Sequence, residues 1–163
     1  MLKQLKLNQK QSSGFTMIEL AVTLAIVGVL MFFAIPSYNE FSNRQSISNE
    51  TNDLLGDLGF ARSLAIENSN AVTIIPVSNT VNWSTGWTIS QTLADGTLEV
   101  IRTKNLLSNN VSMIATDNVI TYNSLGNLSS LPISFNVGIN PGFSNFLSIR
   151  VLASGMASSS KVL

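Results

Sequence analysis

Three hydropathy patterns follow one another along the chain. From Phe15 to Ile35 the residues are apolar or small except for a few hydroxyls and one carboxylate, Glu19. This run of about 21 residues would span roughly 30 Å as a helix, the thickness of a bilayer core. From position 37 to 68, Ile47, Thr51, Leu54, Leu55, Leu58, Ala61 and Ala65 recur at three- and four-residue spacing. Glu50, Asp53, Asp57 and Glu67 fall mostly elsewhere on the wheel, so the pattern predicts an amphipathic helix. Pro36 should kink the helix, whereas Gly56 and Gly59 weaken it locally without ending it. A continuous helix over 15–68 would be a rod of roughly 80 Å, its first part projecting alone and its second lying along a sheet.

After Asn68 the period shortens. "AVTIIPV", "GWTIS", "TLEVIRT", "NVSMIA", "VITYN", "LPISFNV" and "FLSIRVL" are short runs rich in β-branched and aromatic residues. Turn signals separate them, including Ala94–Gly96, Asn123–Asn127 and Asn140–Gly142. Pro76 and Pro132 suit strand starts, edges or bulges. The pattern predicts an α+β domain, antiparallel β-sheet packed on the amphipathic helix, with the closing "SGMASSSKVL" read as a solvated tail.

Composition narrows the chemistry. The 163 residues allow one ordinary domain plus an appendage, and cysteine and histidine are absent. That removes disulfides, thiolate nucleophiles, imidazole bases and most zinc sites. Asp95, Glu99 and Asp117 lie in the β-region with nothing to show that any two converge, and no phosphate-binding glycine loop or nucleophile elbow is present. The chain reads as a non-enzyme without cofactor or metal. Its charges are 9 basic and 9 acidic, but Lys3, Lys6 and Lys10 all precede Gly14, so the remainder is net acidic. Lysines before the apolar run and none just after it predict a cytoplasmic N-terminus and an exported body.

An ordinary secretory signal would be shorter, with small residues at its far end, whereas here that end reads "FFAIPSYNE". A plain signal anchor gives Glu19 no purpose, and a carboxylate in hydrocarbon is costly unless paired or snorkelling to the interface. "GFTMIEL" at Gly14–Leu20, after a short basic leader and before an apolar helix, resembles the processing site of type IV prepilins and of the pseudopilins of type II secretion. The resemblance implies that a prepilin peptidase cuts between Gly14 and Phe15 and methylates the new amine of Phe15. The Glu19 carboxylate could then pair with the amine of a neighbouring subunit, leaving neither charge alone in an apolar bundle. The division expected is a leader over 1–14, a transmembrane and assembly helix over 15–36, an amphipathic helix over 37–68 and a β-rich part over 69–163.

"NWSTGWTIS" at Asn82–Ser90, followed by "DGTLEVIR", "ITYNSLGNL" and "LSIRVLASG", resembles the GspH/FimT group of minor pilins and pseudopilins. This implies a low-copy filament component near the tip, in a bacterial inner membrane and periplasm. Its partners would be other minor pilins and the major pilin, or pseudopilins. Trp83 and Trp87 read as core and turn packing. DNA-binding members of the group share a C-terminal G-R-x-R loop. Gly155, Met156, Ala157 and Ser158 stand there in this chain, and only a weak patch around Arg102 and Lys104, with Lys161 in the tail, is left for phosphate contacts. The resemblance favours a pilus, with a secretion pseudopilus as the alternative.

Overall fold

The computed structural model describes residues 14–105, 107–108, 110–139 and 144–161. The leader residues 1–13 with their three lysines, and the Asn140–Gly142 turn, lie outside the described residues. The chain divides into two units, Met1–Asn39 and Glu40–Leu163. One helix, α1 (Met17–Asn68), belongs to both. It passes through position 36 as a single element, as it does through Gly56 and Gly59.

In the first unit, every described side chain of α1 is exposed, from Met17 to Ile35. This stretch is long and apolar enough to cross a membrane. An exposed apolar surface of this extent is the kind that marks a membrane or protein interaction site.

In the second unit, α1 buries Ile47, Thr51, Leu54, Leu58, Ala61 and Ala65 of the stripe expected from spacing, with Leu55 half-buried at its margin. The carboxylates depart from expectation. Glu50 and Asp57 are buried too, because they face partners on the β-region rather than water.

Among the described residues eight strands follow: β1 (Val72–Pro76), β2 (Trp87–Thr92), β3 (Leu98–Lys104), β4 (Val111–Ala115), β5 (Ile120–Tyr122), β6 (Ile133–Ile139), β7 (Ser144–Val151) and β8 (Ala157–Lys161). They form two antiparallel four-stranded sheets, ordered β3-β2-β1-β5 and β4-β6-β7-β8. The first seven match the seven runs picked out by composition. β8 does not: the serine-rich segment expected to be a solvated tail pairs along β7, from Val151↔Ala157 to Leu147↔Lys161. Backbone hydrogen bonds of an edge strand need no apolar side chains, which is why composition hid it. Pro76 closes β1, and Pro132 immediately precedes β6.

Trp83, Trp87, Tyr122 and Phe135 are the largest fully buried side chains. Trp83 lies 6.5 Å from Trp87 and meets the Phe135 ring edge-on at 5.0 Å, and its indole N–H donates to the Asp117 carbonyl at 3.1 Å. The two tryptophans are thus core residues, as their spacing around a glycine suggested. That glycine, Gly86, has φ +94°, and a Cβ there would stand 2.1 Å from the Lys104 carbonyl oxygen. Gly86→Ala is expected to destabilise the fold by about 3 kcal/mol or more, since backbone conformation and close approach are both violated. Chemical unfolding of the full chain in detergent checks this.

Two other glycines tie the sheets to the helix. Gly126 (φ +75°) and Gly155 (φ +79°) turn the chain beside Arg62 of α1, whose Nε donates to the Gly126 carbonyl at 2.9 Å. A Cβ on Gly155 would fall 2.0 Å from that same carbonyl oxygen. The Tyr122 hydroxyl is buried with no hydrogen-bond partner among the described residues, and burial pushes its pKa up to about 12, partly opposed by Arg62. A folded-state pKa raised above the unfolded value contributes stability below pH 10 and loses it as pH rises towards 12. Tyr122→Phe is expected to remove that part of the alkaline loss without destabilising the neutral protein, read from unfolding midpoints against pH.

Candidate functional site

The residues singled out for processing and assembly sit at the head of α1. Gly14 and Phe15 precede the helix and are exposed, and among the described residues nothing lies within 4 Å of where a Gly14 Cβ would be. Thr16 caps the helix. Its hydroxyl accepts the Glu19 N–H at 3.2 Å, and the Glu19 carboxylate accepts the Thr16 N–H and hydroxyl, both at 3.3 Å. This is a reciprocal capping box, which satisfies backbone donors otherwise left free at a helix start. The carboxylate also lies at the positive end of the helix dipole.

Glu19 is therefore held by its own chain while the apolar helix is uncovered. The sequence reading gave this carboxylate only an intermolecular or snorkelling role. The Thr-Met-Ile-Glu spacing at 16–19 carried the capping signal and went unused.

A second constellation joins α1 to β3. Glu50, Asp53 and Asp57 line the helix at intervals of three and four, and Arg102 and Lys104 come from the strand. Arg102 reaches Asp57 Oδ1 at 2.6 Å, while the Trp87 indole N–H donates to Asp57 Oδ2 at 2.8 Å. Lys104 Nζ lies 2.6 Å from Asp53 and 3.2 Å from Glu50 Oε2. The other Glu50 oxygen accepts the Ser108 N–H at 2.8 Å and the Ser108 hydroxyl. The hydrogen bond to Asp53 raises the Lys104 pKa, with burial opposing and Glu50 adding to the rise. Arg102 also lies 4.6 Å over the Phe60 ring.

Arg102 and Lys104 do share one strand face, as expected, but that face meets carboxylates. Both cations are paired there, Arg102 with Asp57 and Lys104 with Asp53 and Glu50. The Gly155–Ser158 segment is the β7–β8 turn and the start of β8, with Gly155 buried against Gly126.

The acidic residues considered for catalysis stand in separate local arrangements. Asp95 accepts the Thr97 hydroxyl and N–H in the β2–β3 turn, which lowers its pKa, and Asp117 accepts the Asn118 N–H. Glu99 lies in β3. Among the described residues there is no group of three potential metal ligands.

A long helix packed through its second half on antiparallel sheets is the architecture of type IV pilin-like proteins. The family described as "Type II transport protein GspH" matches residues 50–155, and the "Prokaryotic N-terminal methylation motif" matches residues 9–35. The chain belongs to the GspH family.

It is 32% identical over 87 residues to a "Fimbrial protein" of Pseudomonas aeruginosa, a match covering 53% of this chain and 55% of the relative. The chain thus spans about half the length of the curated relative it matches. Two solved structures share its fold. The type IV minor pilin FimU of Pseudomonas aeruginosa superposes with TM-score 0.63 at 18% identity, covering 74% of this chain and 92% of FimU. The minor pseudopilin EpsH of Vibrio cholerae gives TM-score 0.57 at 9% identity, covering 72% and 94%.

Proposed function

We propose that this chain is a minor subunit of a type IV pilus, made as a prepilin, cut between Gly14 and Phe15, methylated on Phe15 and built into the initiating or tip complex of the filament. One observation carries the reading: an uncovered apolar helix of membrane-spanning length begins at the processing motif, directly after an exposed Gly14–Phe15 bond. The helix first sits in the inner membrane, with the leader cytoplasmic and the body periplasmic. It then moves into a bundle of like helices, where Pro36 supplies a bend. Glu19 exchanges its capping partner for the amine of a neighbouring Phe15 and sets the register of insertion. The β-region contacts other minor subunits.

The same chemistry serves a secretion pseudopilus, and the family description and the fold shared with EpsH favour that as the second reading. DNA binding ranks below both, since Arg102 and Lys104 are occupied by carboxylates. No reaction is assigned to the protein, which is instead a substrate of the prepilin peptidase.

Intact mass of the chain extracted from membranes tests the processing step. The reading requires loss of residues 1–14 and gain of one methyl group on Phe15. A full-length or unmethylated chain contradicts it.

A further inference from the structure

The four sheet edges are treated unequally. β5 is only 3 residues long. β8 is serine-rich and ends at Lys161. β4 is flanked by residues 81–83, through the Asn82↔Ile114 bridge, the Ala115 N–H to the Val81 carbonyl and the Trp83 N–H to the Met113 carbonyl. β3 has 7 residues, none buried, and its outer edge is unpaired among the described residues. Leu98 and Val100 are 68% and 61% exposed. Such an edge is a template for another strand, and proteins normally blunt it.

A register shift decides which β3 side chains turn to the helix. Glu99 stands opposite Gln91, so simple alternation would set Ile101 against the buried Ile89 and Thr103 against the buried Trp87. A bulge between Ile89 and Ser90 instead brings Arg102 opposite Ile89 and Lys104 opposite Trp87. The extra residue turns the two cations onto the α1 carboxylates and leaves Ile101 outside the core, while Leu98 and Val100, opposite Thr92 and Ser90, already lie on the face away from Ile89 and Trp87. β3 is fastened to the helix by ion pairs, so its apolar side chains remain available.

We infer that β3 accepts an added strand from a different subunit of the same filament, one with apolar residues facing Leu98 and Val100 and a lysine or arginine opposite Glu99. Charge favours that composition, because Glu99 forms no ion pair among the described residues while Arg102 and Lys104 are engaged. Size favours a filament neighbour over a freely diffusing protein. A seven-residue edge offers far less than the roughly 800 Å² per partner of a stable separate complex. Two subunits already held together by their N-terminal helices gain the local concentration that makes a small contact sufficient. The inference rests on the filament reading above.

The test uses the full chain expressed in its own cells. A photo-crosslinking residue is placed at position 100, with position 131, also exposed and apolar, as control. Leu98→Lys with Val100→Lys, and separately Glu99→Lys, are scored by recovery in sheared filaments relative to the leaderless chain in the membrane. The expected result is a cross-link specific to position 100 that maps to one strand of another subunit carrying a cation near the site. Both variants should lower filament recovery by about tenfold while the membrane pool is unchanged.

A cross-link to a second copy of this chain, to a helix or to a loop overturns the inference. So does a signal no higher than at position 131, or unchanged recovery of either variant. Absence of the wild-type chain from filaments overturns the filament reading and this partner together. Its presence with a silent position 100 overturns the strand partner alone.

Discussion

Glu19→Ala is expected to leave cleavage at Gly14 and methylation of Phe15 intact while lowering recovery of the chain in filaments by about tenfold or more. Inside a bundle of apolar helices, the processed Phe15 amine of one subunit needs a carboxylate from another. Removing that carboxylate leaves a positive charge unpaired in a low-dielectric surrounding. The capping box provides a control, because Glu19 also accepts the Thr16 N–H in its own chain. Glu19→Gln keeps an acceptor for that bond but carries no charge. If pairing with an amine is the function, Gln behaves like Ala. If capping is the function, Gln restores recovery and Thr16→Ala reproduces the loss. Quantitative immunoblotting of sheared filaments against total membrane separates these outcomes.

Gly14→Arg is expected to abolish leader removal, whereas Gly14→Ala is cleaved. Among the described residues nothing lies within 4 Å of a Gly14 Cβ, so no packing contact there competes with this prediction. Any loss therefore reports on the fit of the Gly14–Phe15 bond in the peptidase. An uncleaved chain keeps Lys3, Lys6 and Lys10 ahead of its apolar helix and never exposes a Phe15 amine for Glu19 to meet. It should remain in the inner membrane with the mass of the full-length chain and be missing from filaments. Efficient cleavage of Gly14→Arg, seen as the mature mass, contradicts the assignment of the site.

The helix and seven strands were legible because each rests on a local signal. Burial of Ile47, Leu54, Leu58, Ala61 and Ala65 follows from a 3.6-residue period, and the strands from short β-branched runs between turns. Gly86 and the two tryptophans read as packing for the same reason: an aromatic pair around a glycine is a local pattern. What escaped depends on tertiary partners. Glu50 and Asp57 look like solvent-facing carboxylates until Ser108, Trp87 and Arg102 are brought to them. The bulge that turns Arg102 to the helix has no residue signature in β3, and β8 is held mainly by backbone pairing, with only Ala157 packed against the core. At the head of the helix, the roles proposed for Gly14, Phe15 and Glu19 rest on resemblance, whereas the Thr16–Glu19 capping box required only the spacing of four residues.

Surface filament yield in a clean deletion strain, complemented in trans, tests the central claim most directly. The account predicts that filaments are lost on deletion, return with the wild-type chain and do not return with Glu19→Ala. Normal filament yield in the deletion strain would contradict a role in starting the pilus. Full restoration by Glu19→Ala would contradict assembly through the processed helix.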